Sequence, residues 1–444
     1  MKKNINTNAL KISSFVIILF PIFLITGPFF PDLICTFAAI YFLFFIFKNN
    51  QFKLLDNYFF YFFLAIYIYL NLNSLNSFDA SISFKTSLAY IRVIIFIFFI
   101  SLVIKENFNI LKYIYFSIFL AFTFLFIDTL FRFFFHINIF GSAVVVDSRM
   151  SSFFGEEKIM GSYISRILPL MIGISYLLNI KNSLLLNAII LFISSILIIL
   201  SGERVASLYL AIFVFFYFFL NSKYFLTFFV SIIIVFSLII SVNPVSIKRI
   251  VFHTVNQKQE TNYFLSYRHI LHLKTAYDMF VDKKFLGHGL KSFRHLCHSE
   301  KYKLNVTKKI KKDIDNFKLE NKHLIIPKYF NLIIPQYLEE YDTGCNTHPH
   351  NIYFEFLAEI GLIGFIFFFI LFIYITIQLI INFYKLIIKK DYNKFIYAKF
   401  FILLGIFITM IPMVPSGSYF NNWLLLISYF PMGFYLSILN RTND

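Results

Sequence analysis

Apolar runs of about 20 residues recur along almost the whole chain, and that length decides most of what it can fold into. In hydrocarbon a backbone has to satisfy its own hydrogen bonds, so such runs cross as helices. Read this way, the sequence predicts about twelve spans: 12–27, 30–47, 57–73, 90–105, 112–134, 162–180, 183–200, 204–221, 224–242, 351–385, 395–414 and 420–438. The expected fold class is all-α: a polytopic transmembrane helical bundle with a large, partly helical outer (periplasmic) loop. Residues 1–242 would carry the first nine spans, 243–349 the loop, and 350–444 the last three. The tenth run is longer than a bilayer needs, so part of it should project beyond the core or tilt strongly.

Composition agrees. The chain is 59% apolar and 14% charged, against about half and a quarter in soluble domains. Phe occurs 65 times and is spread along most spans, which reads as lipid-facing filler rather than an aromatic binding platform. The first apolar run lacks a small-residue cleavage site and leads directly into a second span, so it is expected to stay as a span. A net charge of +17 would favour nucleic acid on a soluble protein. Here the basic residues lie between spans or in one loop, which assigns them to topology and lipid head groups, with no nucleic-acid partner.

Their asymmetry sets an orientation. Lys2, Lys3, Lys48, Lys53, Lys389 and Lys390 fall on one side, while 27–32 and 415–422 carry no Lys or Arg. Positive charge marks the cytoplasmic side, so both termini are expected there, and the long loop outside. Trp423 then falls at an outer boundary, as belt aromatics do.

Ionisable residues near the ends of spans are candidates for chemistry. Arg132 has a structural explanation, because Asp128 lies one turn earlier on the same face. Arg166 also stands near an outer end. Arg204 follows Ser201-Gly202-Glu203 and opens the eighth helix. Free N–H groups and a guanidinium there suit a phosphate or diphosphate, although a snorkelling Arg tied to Glu203 is an equal reading. In the loop, Leu265 to Val281 has an amphipathic pattern, and Arg268, His272 and Thr275 share one face. Phe285-Leu286-Gly287-His288-Gly289 is a glycine-bearing turn.

The strongest pattern is Thr347-His348-Pro349-His350-Asn351 running into the tenth span, with Glu355 and Glu359 four apart and then Gly361 and Gly364. An imidazole at this mouth can take a proton from a hydroxyl near neutral pH; an interfacial His pair without chemistry is the alternative. Helix placement favours His350 over His348, which is expected to point elsewhere. His295, Cys297, His298, Cys345, His348 and His350 match no structural zinc spacing, so no metal is expected. Cys297 and Cys345 share one oxidising compartment and are expected to form a disulfide.

His350-Asn351, nine residues and then Gly361 resemble the signature of the O-antigen ligase and O-antigen polymerase superfamily. Ser201-Gly202-Glu203-Arg204 resembles that family's small-residue turn with an Arg opening the next helix. Tyr267-Arg268 and the 285–289 turn with Phe293 resemble its outer-loop Arg helix and glycine turn. The likeness covers about Arg149 to Gly364. Glu203 departs from it, because a small or polar residue is usual there and a carboxylate would compete for Arg204.

The resemblance implies a polytopic inner-membrane glycosyltransferase, inverting and independent of metal or cofactor. It would move a glycan from undecaprenyl diphosphate to a sugar hydroxyl of lipid A-core, on the periplasmic face. The polymerase alternative would join lipid-linked repeat units. A lipid-linked oligosaccharide flippase is a third class, and a structural protein without an active site a fourth. A transporter would place charges at mid-membrane, whereas here they gather at outer ends. Carried over, His350 would be the base, with Arg204 and Arg268 stabilising the diphosphate. Asn351, His348 and Arg166 are further candidates for substrate binding.

Overall fold

Polar side chains decide where many of the helices begin. Oxygens of Asn57, Asp79, Asn351, Asn393 and Asn421 accept from the first backbone N–H groups of the helices that follow them, replacing partners those groups lack. The computed structural model describes residues 7–141, 149–178, 180, 183–221, 250, 267–302 and 344–441. Among them are α1 (Thr7–Phe23), α2 (Phe29–Lys48), α3 (Tyr58–Leu75), α4 (Ala80–Glu106), α5 (Ile110–Phe135), α6 (Met160–Leu178), α7 (Ser183–Ser201) and α8 (Arg204–Leu220). Further on come α9 (Tyr267–Asp282), α10 (Ile352–Ile387), α11 (Lys394–Thr409) and α12 (Asn422–Ile438). The described residues contain no β-strand.

Among the described residues, seven helices are long and apolar enough to cross a membrane, and three shorter ones are apolar as well. The protein is an all-helical, multi-pass membrane protein. The expected span at 224–242 and most of the loop lie outside the described residues. Phe serves both sides of the wall: on α2, Phe37, Phe44 and Phe47 face outward, while Phe42 is buried.

Close helix contacts use small residues, as expected where no water drives association. α6 packs against α11. A side chain at Gly173 would meet Ala398 and Ile402, and one at Gly405 would meet Pro169. α12 packs against α4, with Gly433 against Ile100. Trp423 stands at the end of α12 but turns inward. Its indole N–H donates to the Leu24 carbonyl at 2.9 Å, and its ring meets Phe154. It is an internal tie and not a membrane-belt residue.

Two boundaries differ from the sequence reading in ways that shape the site. α4 begins at Ala80, ten residues before the expected span, because Asp79 caps a polar first section. Ser83 in that section donates to the Leu290 carbonyl. The long tenth run neither projects nor tilts as one rod: it is broken at Gly361 (φ 64°, ψ −172°). Ile352–Ile360 is a separate short segment, and Leu362–Ile387 is the span. α11 is only 16 residues, about 24 Å at 1.5 Å per residue.

The break at Gly361 is filled by the glycine turn. His288 N–H donates to the Ala358 carbonyl (3.0 Å) and Gly289 N–H to the Glu359 carbonyl (2.7 Å). In return, Leu362 N–H donates to the Lys284 carbonyl (2.8 Å). A side chain at Gly287 would stand 2.6 Å from the Glu359 carbonyl and Gly361 N, so only glycine permits this approach. Asn73, near the end of α3, and Phe78, just beyond it, hold the other side of the turn through the Leu286 and His288 carbonyls.

Candidate functional site

The site forms where α8, α9 and the 344–351 segment meet. Arg204 is the first residue of α8, set there by a turn in which Gly202 has φ 62°. Glu203 is engaged with α6. Its carboxylate accepts from Gly161 N–H (2.6 Å), Ser162 N–H (3.1 Å) and the Ser162 hydroxyl (2.7 Å). It thus caps α6 at the end where a negative charge is favoured. The departure from the family pattern has a structural use here. Arg149 secures the same corner, donating to the Lys158 carbonyl at 2.6 Å and the Ser201 carbonyl at 3.4 Å.

Arg166 lies one turn deeper on α6. It is 4% exposed, donates to the Ser162 carbonyl, and its guanidinium covers the Tyr209 ring at 5.3 Å. This guanidinium is packed inside the bundle beneath the Glu203 cap. Arg132 pairs with Asp128 at 3.0 Å, as expected from their spacing.

α9 carries Arg268, His269 and His272. The expected amphipathic helix is present over Tyr267–Asp282, while Leu265 and Ser266 lie outside the described residues. The face bearing His272 and Thr275 is buried. Ala276 and Met279 pack with Phe293, Tyr302, Ala358 and the bonded pair Cys297–Cys345. The disulfide spans 48 positions with Cα atoms 5.1 Å apart. Although Cys297, His298 and Cys345 cluster, the two sulfurs are bonded to each other and offer no thiolates.

Cys345 fixes the segment that crosses α9. On one side of it, the Gly344 carbonyl accepts from His272 Nδ1 at 2.6 Å. On the other, the Asn346 amide donates to His350 Nε2 at 3.0 Å. Thr347 N–H donates to the Asn346 side-chain oxygen at 2.7 Å, which orients the amide with its NH₂ toward the imidazole.

His348 was expected to point away from His350. Instead the two ring centroids are 4.2 Å apart. His350 has φ 56°, and this left-handed turn brings both rings to the same side despite Pro349 between them. His269 and His272 lie 5.2 and 5.4 Å from His350, giving four imidazoles in one cluster. His348 Nε2–H donates to the Ser416 carbonyl (3.2 Å), and Ser416 N–H donates to the His350 carbonyl (2.9 Å).

The two glutamates after the His pair are buried anchors for separate loops. The Glu355 carboxylate accepts from the Ser418 hydroxyl and from Tyr419 N–H (2.7 Å), holding the 416–419 connection against the histidines. Glu359 accepts from Lys291 N–H (2.7 Å) and Phe293 N–H (3.2 Å), holding the chain beyond the glycine turn. Asn351 is buried and caps α10, accepting from Tyr353 and Phe354 N–H. Its side chain is engaged in placing His350 at the helix mouth.

Burial first, and then neighbouring charge, keep His269, His348 and His350 neutral. For His350 burial acts with His348, His269, His272 and Arg268 to lower the pKa to about 2. His269 is lowered to about 4 by burial and by His272, Arg204, Arg268 and His348. His348 falls to about 4 through burial, Arg294 and His272, against the opposing Ser416 carbonyl. Arg204 from a membrane helix and Arg268 from the loop therefore act on the same ring. The rings are neutral and able to accept a proton, with Arg268 acting on His350 and both arginines on His269; a pKa this low makes His350 a weak base on its own, and an anion bound by the arginines would raise its basicity.

The sequence reading passed over Asn346 and Ser416. The signals for them were weak: a polar residue beside an expected disulfide, and a serine in the turn before α12.

No curated protein matches the chain. Residues 189–369 match the family model described as O-antigen ligase, a stretch running from α7 through the glycine break in α10, in agreement with the resemblance to the O-antigen ligase and polymerase superfamily.

Proposed function

We propose that the protein transfers a glycan from undecaprenyl diphosphate to a sugar hydroxyl of lipid A-core at the periplasmic face of the inner membrane, with both termini cytoplasmic. The observation that carries this reading is the convergence of His350 with His348, His269 and His272 at the mouth of α10, where Arg268 acts on His350 and Arg204 on His269. His350 accepts the proton of the acceptor hydroxyl as its oxygen attacks the anomeric carbon. The anomeric C–O bond to the diphosphate breaks on the opposite face, which inverts the configuration. The electron pair leaves with undecaprenyl diphosphate, whose charge Arg204 and Arg268 stabilise. His348 sits beside the reacting hydroxyl, and Asn351 and Arg166 act as supports for the base and for the α6–α8 corner. These steps need no metal and no nucleotide sugar.

The test is a lipopolysaccharide profile from a strain lacking the protein, complemented with His350→Ala. A general base contributes about 10²–10⁴-fold, so polymer on core should disappear while lipid-linked polymer accumulates, at equal membrane levels of protein. A single repeat unit remaining on core would assign polymerisation instead. Transfer at the wild-type rate in His350→Ala would refute the mechanism.

A further inference from the structure

The hydrogen bond on His350 decides which of its nitrogens can act. The Asn346 amide nitrogen can only donate, so Nε2 of His350 is the accepting nitrogen and the ring proton sits on Nδ1. The amide cannot flip without losing the bond from Thr347 N–H to its oxygen. Its backbone is held in turn, because Cys345 next to it is bonded to Cys297. The arrangement has one consequence for the acceptor. The lone pair that must take its proton is the one now facing the Asn346 NH₂.

We infer that Asn346 is the positioning residue that sets the tautomer of His350, and that its amide N–H occupies the place the acceptor hydroxyl takes at Nε2. This rests on the reading of His350 as the base. On acceptor binding the hydroxyl donates to Nε2 and displaces the amide, and the freed NH₂ is left within reach of the same sugar oxygen. After proton transfer the ring carries hydrogen on both nitrogens and can no longer accept. Among the described residues, the groups acting on it include His269, His272 and Arg268 on α9 and His348 on its own segment. None of them is a carboxylate, so nothing among them favours the protonated ring.

The experiment compares Asn346→Asp, Asn346→Gln and Asn346→Ala in the full-length protein in membrane vesicles, with lipid-linked donor and a lipid A-core acceptor. Asp is nearly isosteric but puts an accepting carboxylate at Nε2, which favours hydrogen there and stabilises the imidazolium. The N346D rate should be at least tenfold below wild type throughout pH 6.5–9, because the carboxylate keeps hydrogen on Nε2 and removes the lone pair the acceptor needs. Donor KM should be unchanged. N346Q, which restores a donating amide, should recover most of the wild-type rate, and N346A should fall between N346Q and N346D. Thiol labelling that finds the disulfide intact in each variant excludes a misassembled loop. If N346D transfers at the wild-type rate, or N346Q is as slow as N346D, the inference is wrong. If His350→Ala is inactive while N346D behaves as wild type, the base assignment stands and only the role of Asn346 falls.

Discussion

Gly361→Ala tests whether the break in α10 holds the site together. Gly361 has φ 64° and ψ −172°, a region populated almost only by glycine, where a side chain costs about 1–3 kcal/mol. A Cβ there would also press on the Phe285 carbonyl and lie 2.6 Å from Gly287 N. The chain has two responses. It can keep the break and bear the strain. Alternatively it can straighten into continuous helix, which gives up the bonds from His288, Gly289, Leu362 and Ile363 N–H across the junction. A hydrogen bond contributes about 0.5–1.5 kcal/mol net, so losing four while regaining some helical bonds costs roughly the same few kcal/mol. Either way the glycine turn loosens from the helix, and with it α9. Trypsin protection at Lys283, Lys284 and Lys291 in membrane vesicles should fall at least tenfold, together with glycan transfer, while membrane insertion is preserved. Ile366→Ala, at an exposed position further along α10, is the control. Wild-type protection and transfer in Gly361→Ala would refute the account.

The remaining predictions concern the loop and its charges. Closing 48 residues by Cys297–Cys345 stabilises by about 4 kcal/mol in the chain-entropy model, so Cys345→Ser should lower transfer, with the released Cys297 becoming open to thiol reagents; unchanged transfer would show that the tether does not serve the histidines. Arg268→Lys keeps the charge but loses the planar fork, and should lose most activity at unchanged protein level; a fully active variant would remove Arg268 from leaving-group stabilisation. His269, His348 and His350 all have folded pKa values lowered below the unfolded value near 6.5. Their unfolded forms therefore bind more protons as pH drops, so stability is fully present above about 6.5 and is lost as pH falls from there to about 4 for His269 and His348 and to about 2 for His350. Loop protection should decline from pH 7.5 to 5, and a double His269→Gln, His348→Gln variant should show a shallower decline; an equal slope would exclude these groups as the cause.

Much of the bundle was legible because length and hydropathy alone define a span, so α2, α5, α7 and α12 fall within a few residues of their expected limits. The early start of α4 was not, since Ala80–Ala89 is too polar to read as a span and is helical because Asp79 caps it. Gly361 was visible as a small residue for packing, but its positive φ depends on a turn some 75 residues earlier that fits into it. His350, Arg204 and Arg268 were legible as residue types at helix mouths. The closeness of His348 was not: it depends on the left-handed backbone at His350, which no pattern announces in a non-glycine residue. Asn346 was hidden because its meaning comes from the disulfide and from α9, both distant in sequence.

The interrupted helix also separates two mechanical parts. Leu362–Ile387 is roughly 39 Å long at 1.5 Å per residue, more than the ~30 Å hydrocarbon core, so this span meets the bilayer by leaning. In an unbroken rod, every degree of lean would swing the nine residues from Ile352 to Ile360, and the histidines ahead of them, through an arc. Here those residues are bonded to the glycine turn on one side, and through Glu355 to the 416–419 connection on the other. The break at Gly361 gives head and shaft separate axes, and the first N–H groups of the shaft, from Leu362 and Ile363, are bonded to the same turn that holds the head. The turn, and not the axis of one long helix, sets where the imidazoles stand relative to the span.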